Sequence, residues 1–327
     1  MQVIIDGDWG GDEMQLAAVL LAHPEHVEIL GATCTFGNTD HAQVVRNALN
    51  ILHFLKADPK LEVHPGALKP SDTDLLPGDG AHGGDGIGNV DLPPSPHQPS
   101  KQQAVDFLLE QLRSHDPGTV TITASGPLTN IADALRRDRV TMSRVDQVII
   151  MGGCTHDMPA HDVPVRRGNI TYQSEFNFFQ AAIDAALVMS SGLSIVLLPM
   201  NCTHQLTLTS EREEELRQTL SHLPTEVNQL IGMMTAPAAF DRTKFNIDPV
   251  MHDIHCALYL LFPEGYETVR GRVTVTPPDQ LGIPDSRTGH TDFNDDNASP
   301  VTVALHLKDP NRFWQIFLDS IRHCLSR

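Results

Sequence analysis

Short apolar runs rich in β-branched residues recur along this chain, near Val3–Ile5, Val27–Cys34, Val120–Thr123, Val148–Met151 and Ile195–Leu198. Between and after them lie helix-like stretches near Met14–Ala22, His41–Leu55, Lys101–Ser114, Leu128–Arg136, Ser174–Met189 and Ser210–Ser221, with a last one at Asn311–Leu325. A strand that is apolar at every position must be covered on both faces, and helices alternating with such strands supply the cover. The expected fold is therefore α/β, one domain over residues 1–327, with a mostly parallel, Rossmann-like central sheet flanked by helices. Ligands of such sheets bind beyond the carboxyl ends of the strands. Polar or glycine-containing segments fall at four of those ends: Asp6 to Glu13, Thr35 to Asn38, Ala124 to Gly126, and Gly152 with Gly153.

At 327 residues and 40% hydrophobic content the chain can fill a large core. A net charge of -18 argues against nucleic acid or an anionic membrane as partner, either of which asks for a basic face. The five cysteines are odd in number and form no CxxC pair, which points away from a disulfide framework or structural zinc and toward a reducing compartment. Neither a signal-like n-region and h-region nor an apolar run near the ~20 residues of a membrane span is visible. A cytoplasmic protein acting on small molecules is expected.

The first strand runs into four acids within eight positions, Asp6, Asp8, Asp12 and Glu13, just as a helical pattern begins. One acid at a helix N-terminus is an ordinary cap. Four repel one another, and a bound hard cation with oxygen ligands neutralises them, Ca²⁺ before Mg²⁺; a capped helix with solvated acids is the plainer alternative. Two long segments, Lys69–Ser100 and Cys154–Asn169, read as loops, and a lid over the strand ends would be their functional form. Gly271–Ser299 reads as a peripheral hairpin or edge strand followed by an acidic loop.

Further motifs follow in order: Gly37 with Asn38, His82 with Gly83, Ser125-Gly-Pro-Leu-Thr-Asn130, Gly168-Asn169-Ile-Thr171 with Glu175-Phe-Asn177, and His252 with Asp253 at the head of a late apolar helix. Together with the opening acids, in this order and over nearly the whole length, they resemble the inosine-uridine-preferring nucleoside hydrolase family. The resemblance implies the nucleoside hydrolase fold and cleavage of the N-glycosidic bond of a ribonucleoside by water, giving ribose and a purine or pyrimidine base. It implies Ca²⁺ held by Asp8, Glu13, Asp253 and the carbonyl of Ser125. Asp8 would also be the general base, since a carboxylate beside a cation-held water is placed to take its proton.

Asp12 and Asn38 from one side, and Asn169, Glu175 and Asn177 from the other, would grip the ribose hydroxyls; capping or core hydrogen bonding is the alternative for each. The departing base needs a proton, and a histidine is the natural donor. His252 is the first choice and His82, in the first long loop, the second. Trp9, Tyr172 and Phe178 read as core aromatics rather than base-stacking ones. The resemblance also implies a small-molecule nucleoside partner and a homodimer or homotetramer.

The chain departs from the family pattern at several positions. Glu13 stands where the family has a second adjacent Asp, Trp9 where it usually has Pro, Ser125 where it has Thr, and Asn201 where many members have Asp. Two rival readings remain at this stage. One is a Ca²⁺-dependent nucleoside or sugar binder of the same fold, which the longer Glu13 favours. The other is a haloacid-dehalogenase-type phosphatase, whose Asp-x-Asp nucleophile Asp6-Gly-Asp8 mimics; the Gly-Gly-Asp-Glu continuation and the scarcity of lysine argue against it.

Overall fold

The computed structural model describes residues 1–71, 74, 80–154, 168–171, 173–277, 290–292 (backbone only) and 300–327. Residues 72, 73 and 75–79 near the start of the first expected loop, residues 155–167 of the second, Tyr172, and residues 278–289 and 293–299 lie outside the described residues. The chain begins β1 (Gln2–Gly7), α1 (Gly11–Leu21), β2 (Glu28–Cys34), α2 (His41–Phe54), β3 (Val63–His64), α3 (Ala104–Ser114) and β4 (Val120–Ala124). It continues α4 (Thr129–Arg137), α5 (Arg139–Met142), β5 (Gln147–Met151), α6 (Phe176–Gln180), α7 (Ala182–Met189), β6 (Ile195–Leu198) and α8 (Met200–Thr203). The last part holds α9 (Ser210–Thr219), α10 (Pro224–Thr235), α11 (Ala238–Phe245), α12 (Ile254–Leu261), β7 (Tyr266–Arg272), β8 (Thr274–Thr276), β9 (His290–Asp292), β10 (Pro300–Leu307) and α13 (Pro310–Leu325).

The main sheet has the order β3-β2-β1-β4-β5-β6-β10-β7, parallel except for β7, which runs antiparallel against β10. The apolar strands serve two cores by alternation. Val3 and Ile5 of β1, Ile149 and Met151 of β5, and Val196 and Leu198 of β6 pack into the layer with α1, α2, α10, α12 and α13. Ile4, Val148, Ile150, Ile195 and Leu197 point the other way, against α3, α4 and α7. Helix α1 is buried at ten of its eleven positions, packed against α12 and α13. It therefore has no solvent face for its acids.

From β1 the strand order runs outward through β2 and β3, then returns to β4 on the other side of β1 and proceeds to β6. A reversal of this kind opens a crevice at the carboxyl ends of the two central strands, here between Asp8 and Ser125.

Differences from the sequence reading are local. Helix α1 starts at Gly11 rather than Met14, because the Glu13 side chain caps the backbone N–H of Gly10 and draws Asp12 and Glu13 into the first turn. The stretch expected as one helix at 174–189 is two, broken where Ala181 leaves helical angles (φ -138°, ψ 55°). Of the two readings of Gly271–Ser299, the peripheral one holds: Val275 belongs to a separate two-stranded antiparallel ribbon, β8 with β9, and the edge of the main sheet is β7. All five cysteines are buried and free. Among the described residues no helix is long and apolar enough to cross a membrane.

Candidate active site

Ten of the eleven predicted site residues line one cleft at the carboxyl ends of the strands: Asp8, Asp12, Asn38, His82, Ser125, Asn169, Glu175, Asn177, His252 and Asp253. Glu13 is the exception. It is wholly buried behind Asp8, where Oε1 accepts the backbone N–H of Asp8 (3.1 Å) and the Ser125 hydroxyl (3.2 Å), and Oε2 accepts the N–H of Gly10 (2.7 Å). One carboxylate thus grips the amides on both sides of Trp9. Trp9 itself takes the left-handed value φ +32°, is fully buried, and is anchored by its Nε1–H to the carbonyl of Thr33 (3.1 Å). A non-glycine residue there costs on the order of 1–3 kcal/mol. Trp9 and Phe178 are core residues, as read from the sequence.

Asp8 Oδ2 accepts the N–H of Asn38 (2.9 Å), which fixes the carboxylate against the end of β2. The fit leaves no room behind it, since a Cβ on Gly37 would lie 1.9 Å from Asp8 Oδ2, and one on Gly126 2.8 Å from the Asp8 nitrogen. Burial, then the neighbouring Glu13 carboxyl within hydrogen-bonding reach, push the Asp8 pKa well above the ordinary range. Asp253 is raised likewise, first by burial and then by Glu13, Asp12, Asp8 and Glu175. Burial lifts Asp12 to about 6, against the opposing pull of His82. His82 Nδ1 stands 3.8 Å from Asp12 Oδ1, and neither atom has a hydrogen-bond partner. Asp6 stays out of the cleft and braces the turn, its Oδ1 taking Thr33 Oγ1 (2.5 Å) and Asn130 Nδ2 (2.7 Å); burial raises its pKa to about 6.

Opposite, Glu175 is both a cleft residue and the N-cap of α6, accepting the N–H groups of Asn177, Phe178 and Gly153. Asn177 Nδ2 donates to the Ser125 carbonyl (3.0 Å) and the Met151 carbonyl (3.3 Å), and Asn169 Oδ1 caps Phe176 N–H (2.8 Å). Capping and lining are therefore not alternatives for these residues. Glu175 Oε2 is filled by Gly153 and Phe178, while Glu175 Oε1 and Asn169 Oδ1 each accept one N–H and keep a second lone pair for another donor.

His252 bonds Thr203 Oγ1 through Nδ1 (2.8 Å), and burial pushes its pKa well down, with His204, His82 and His255 adding to the shift. The sequence reading missed the wall that closes the cleft, where Pro237, Phe240, Asp241 and Phe245 stand on and before α11. Phe240 and Phe245 stand singly on a mostly polar helix, so no local pattern marks them.

The donor set suits a hard divalent cation. Five buried carboxyls act on one another, and no Lys or Arg lines the cleft among the described residues. Two carboxyls in contact, such as Asp8 and Glu13, are held together only by a proton or a cation between them. No three of these side chains yet share a coordination point among the described residues; Glu13 spends both oxygens on N–H and O–H donors.

A family model described as inosine-uridine preferring nucleoside hydrolase matches residues 3–315. The chain is 33% identical over 273 residues to the probable uridine nucleosidase 2 of Arabidopsis thaliana, covering 83% of this chain and 80% of that protein. It is 30% identical over 276 residues to the pyrimidine-specific ribonucleoside hydrolase RihA of Salmonella paratyphi A, covering 84% of each. The structure of the purine-preferring ribonucleoside hydrolase from Gardnerella vaginalis has the same fold, with a TM-score of 0.85 at 24% identity over 100% of both chains.

Proposed function

We propose, from the premise that the chain belongs to the inosine-uridine-preferring nucleoside hydrolase family and is an N-glycosyl hydrolase, that it cleaves ribonucleosides to ribose and free base with Ca²⁺ as cofactor. The observation that carries this is a single cleft lined by the carboxyls Asp8, Asp12 and Asp253 together with His82, His252 and the rings of Phe176, Phe240 and Phe245.

Asp8 and Asp253, with the Ser125 carbonyl, would hold the ion, and Glu13 would join them only by giving up one of its present hydrogen bonds. An irregular set of carboxylates and a carbonyl suits Ca²⁺ better than the octahedral demand of Mg²⁺. When bound, such an ion makes water more acidic and orients sugar hydroxyls.

The chain's own groups do the rest. Asp8, fixed by the Asn38 N–H, takes a proton from the attacking water, a contribution of about 10²–10⁴ in rate. Asp12 and Asn38, facing Asn169, Glu175 and Asn177, grip the ribose hydroxyls, and the surrounding negative charge stabilises the oxocarbenium-like sugar. His252 protonates the departing base, with His82 as the second candidate. The apolar wall excludes water from the base.

The reading extends to one domain over residues 1–327, a cytoplasmic location, and a homodimer or homotetramer, which sedimentation at micromolar concentration would measure. The deciding assay is base release from a panel of purine and pyrimidine nucleosides, with Ca²⁺ and with chelator. Release that stops on chelation and returns with Ca²⁺ is expected. No release from any nucleoside in the presence of Ca²⁺ would overturn the reading in favour of a binder.

A further inference from the structure

Helix α8 follows β6 directly, and its last residue, Thr203, is fully buried behind the cleft. The Thr203 hydroxyl makes two contacts: Oγ1 lies 2.8 Å from His252 Nδ1 and 3.4 Å from the Met200 carbonyl. A hydroxyl has one hydrogen to give. With that hydrogen directed to the carbonyl, the oxygen is free to accept Nδ1–H from His252. The next residue, His204, sets its ring 5.4 Å from that of His252 at 56° and edge-on to Phe245 (4.9 Å), and Phe245 is part of the cleft wall. The His252 ring is thus held by one hydrogen bond and by its packing against His204.

We propose that Thr203 is a positioning residue for the reaction, binding Nδ1 of His252 so that Nε2 is the nitrogen presented to the leaving base. The inference rests on the assignment of His252 as the proton donor. In the step it serves, the bond from C1′ of the ribose to the base nitrogen breaks with its electron pair going to the base. That nitrogen takes the Nε2 proton, the water oxygen bonds C1′, and the water's proton goes to Asp8. For this step the Nδ1–H ring first takes a proton from solvent at Nε2; after donating it the ring is again the Nδ1–H tautomer, the form Thr203 Oγ1 accepts from, so the same hydrogen bond holds the ring before and after transfer. Second partners of this kind commonly fix the tautomer of a working histidine.

The test compares two substrates. A nucleoside base must be protonated to leave, whereas p-nitrophenyl riboside departs as a stable phenolate. For Thr203→Val, which keeps the shape and removes the hydroxyl, the ratio of nucleoside to aryl-riboside kcat is expected to fall roughly tenfold or more, with KM little changed and with Thr203→Ser restoring the ratio. An unchanged ratio in Thr203→Val, or no rescue by serine, overturns the proposal.

His252→Ala in the same assay separates the two claims. If it leaves the ratio intact, the assignment of His252 fails and the proposal with it; if it lowers the ratio while Thr203→Val does not, only the role of Thr203 falls. Should Thr203→Val not fold, the imidazole ¹⁵N shifts of His252 in the unaltered protein decide, because a neutral ring protonated at Nε2 overturns the proposal and one protonated at Nδ1 supports it.

Discussion

Replacing Gly37 by alanine displaces the proposed general base without removing any reacting group. The new Cβ would lie 1.9 Å from Asp8 Oδ2 and 2.7 Å from Asp8 Cβ and Cγ, whereas a real Cβ keeps about 3.0 Å from its neighbours. The carboxylate must therefore retreat by at least 1.1 Å, the difference between those two distances. Glu13 and Gly126 occupy the other sides, so the retreat is into the cleft, and the 2.9 Å bond from Asn38 N–H is lost. A misplacement of about 1 Å in a reacting group costs on the order of 10²-fold in rate, or about 2.7 kcal/mol of barrier. Overpacking takes about 1–3 kcal/mol from stability, a few degrees of melting temperature.

The assay is initial-rate base release at saturating nucleoside and Ca²⁺, at a temperature well below the melting transition of the variant. The expected result is a fall of about 10²-fold in kcat with the protein still folded. A kcat within threefold of the unaltered protein would refute the argument, since the carboxylate position would then not govern the rate.

Two other substitutions test the site from different sides. Asp8→Asn should lower base release by about 10²–10⁴-fold and weaken Ca²⁺ binding in calorimetry. It should also leave the metal-free protein at least as stable as before, because it relieves the contact with Glu13; turnover within threefold of normal would remove Asp8 from the mechanism. Asn130→Leu deletes the donors to Asp6 (2.7 Å) and the Cys34 carbonyl (3.0 Å) and the acceptor for Ala67 N–H (2.8 Å). Asp6 Oδ1 keeps Thr33 Oγ1, so two groups lose their partner; at about 1–3 kcal/mol each, urea unfolding should show a loss of roughly 2–6 kcal/mol, and a loss under 1 kcal/mol would contradict the bracing role.

The buried centre of the sheet was legible because β1, β4, β5 and β6 are covered on both faces and so carry short β-branched apolar runs, with only threonine interrupting β4. Strand β7 was not, since it is a mostly exposed edge strand with few apolar positions, and β3 is two residues long. In the site, residues at strand ends or beside a strong motif, such as Asp8, Ser125 and Asp253, could be read from order and spacing. The wall on α11 could not, because Phe240 and Phe245 sit on a helix without a clear apolar stripe and gain their role only from where α11 is placed. Thr203 shows the same limit: its partner His252 is 49 positions away, and a single threonine carries no local signal of that pairing.

The grip of Glu13 on the amides flanking Trp9 has a consequence for descent. Proline, the family's usual residue at this place, is locked near φ -65° and cannot take the value of +32° that this turn gives residue 9. The residue at 9 and the acid at 13 therefore depend on one another in this turn. Exchanging Trp9 for Pro alone would force residue 9 out of its present conformation and pull the Asp8 and Gly10 amides away from Glu13, so a change at either position asks for a compensating change at the other.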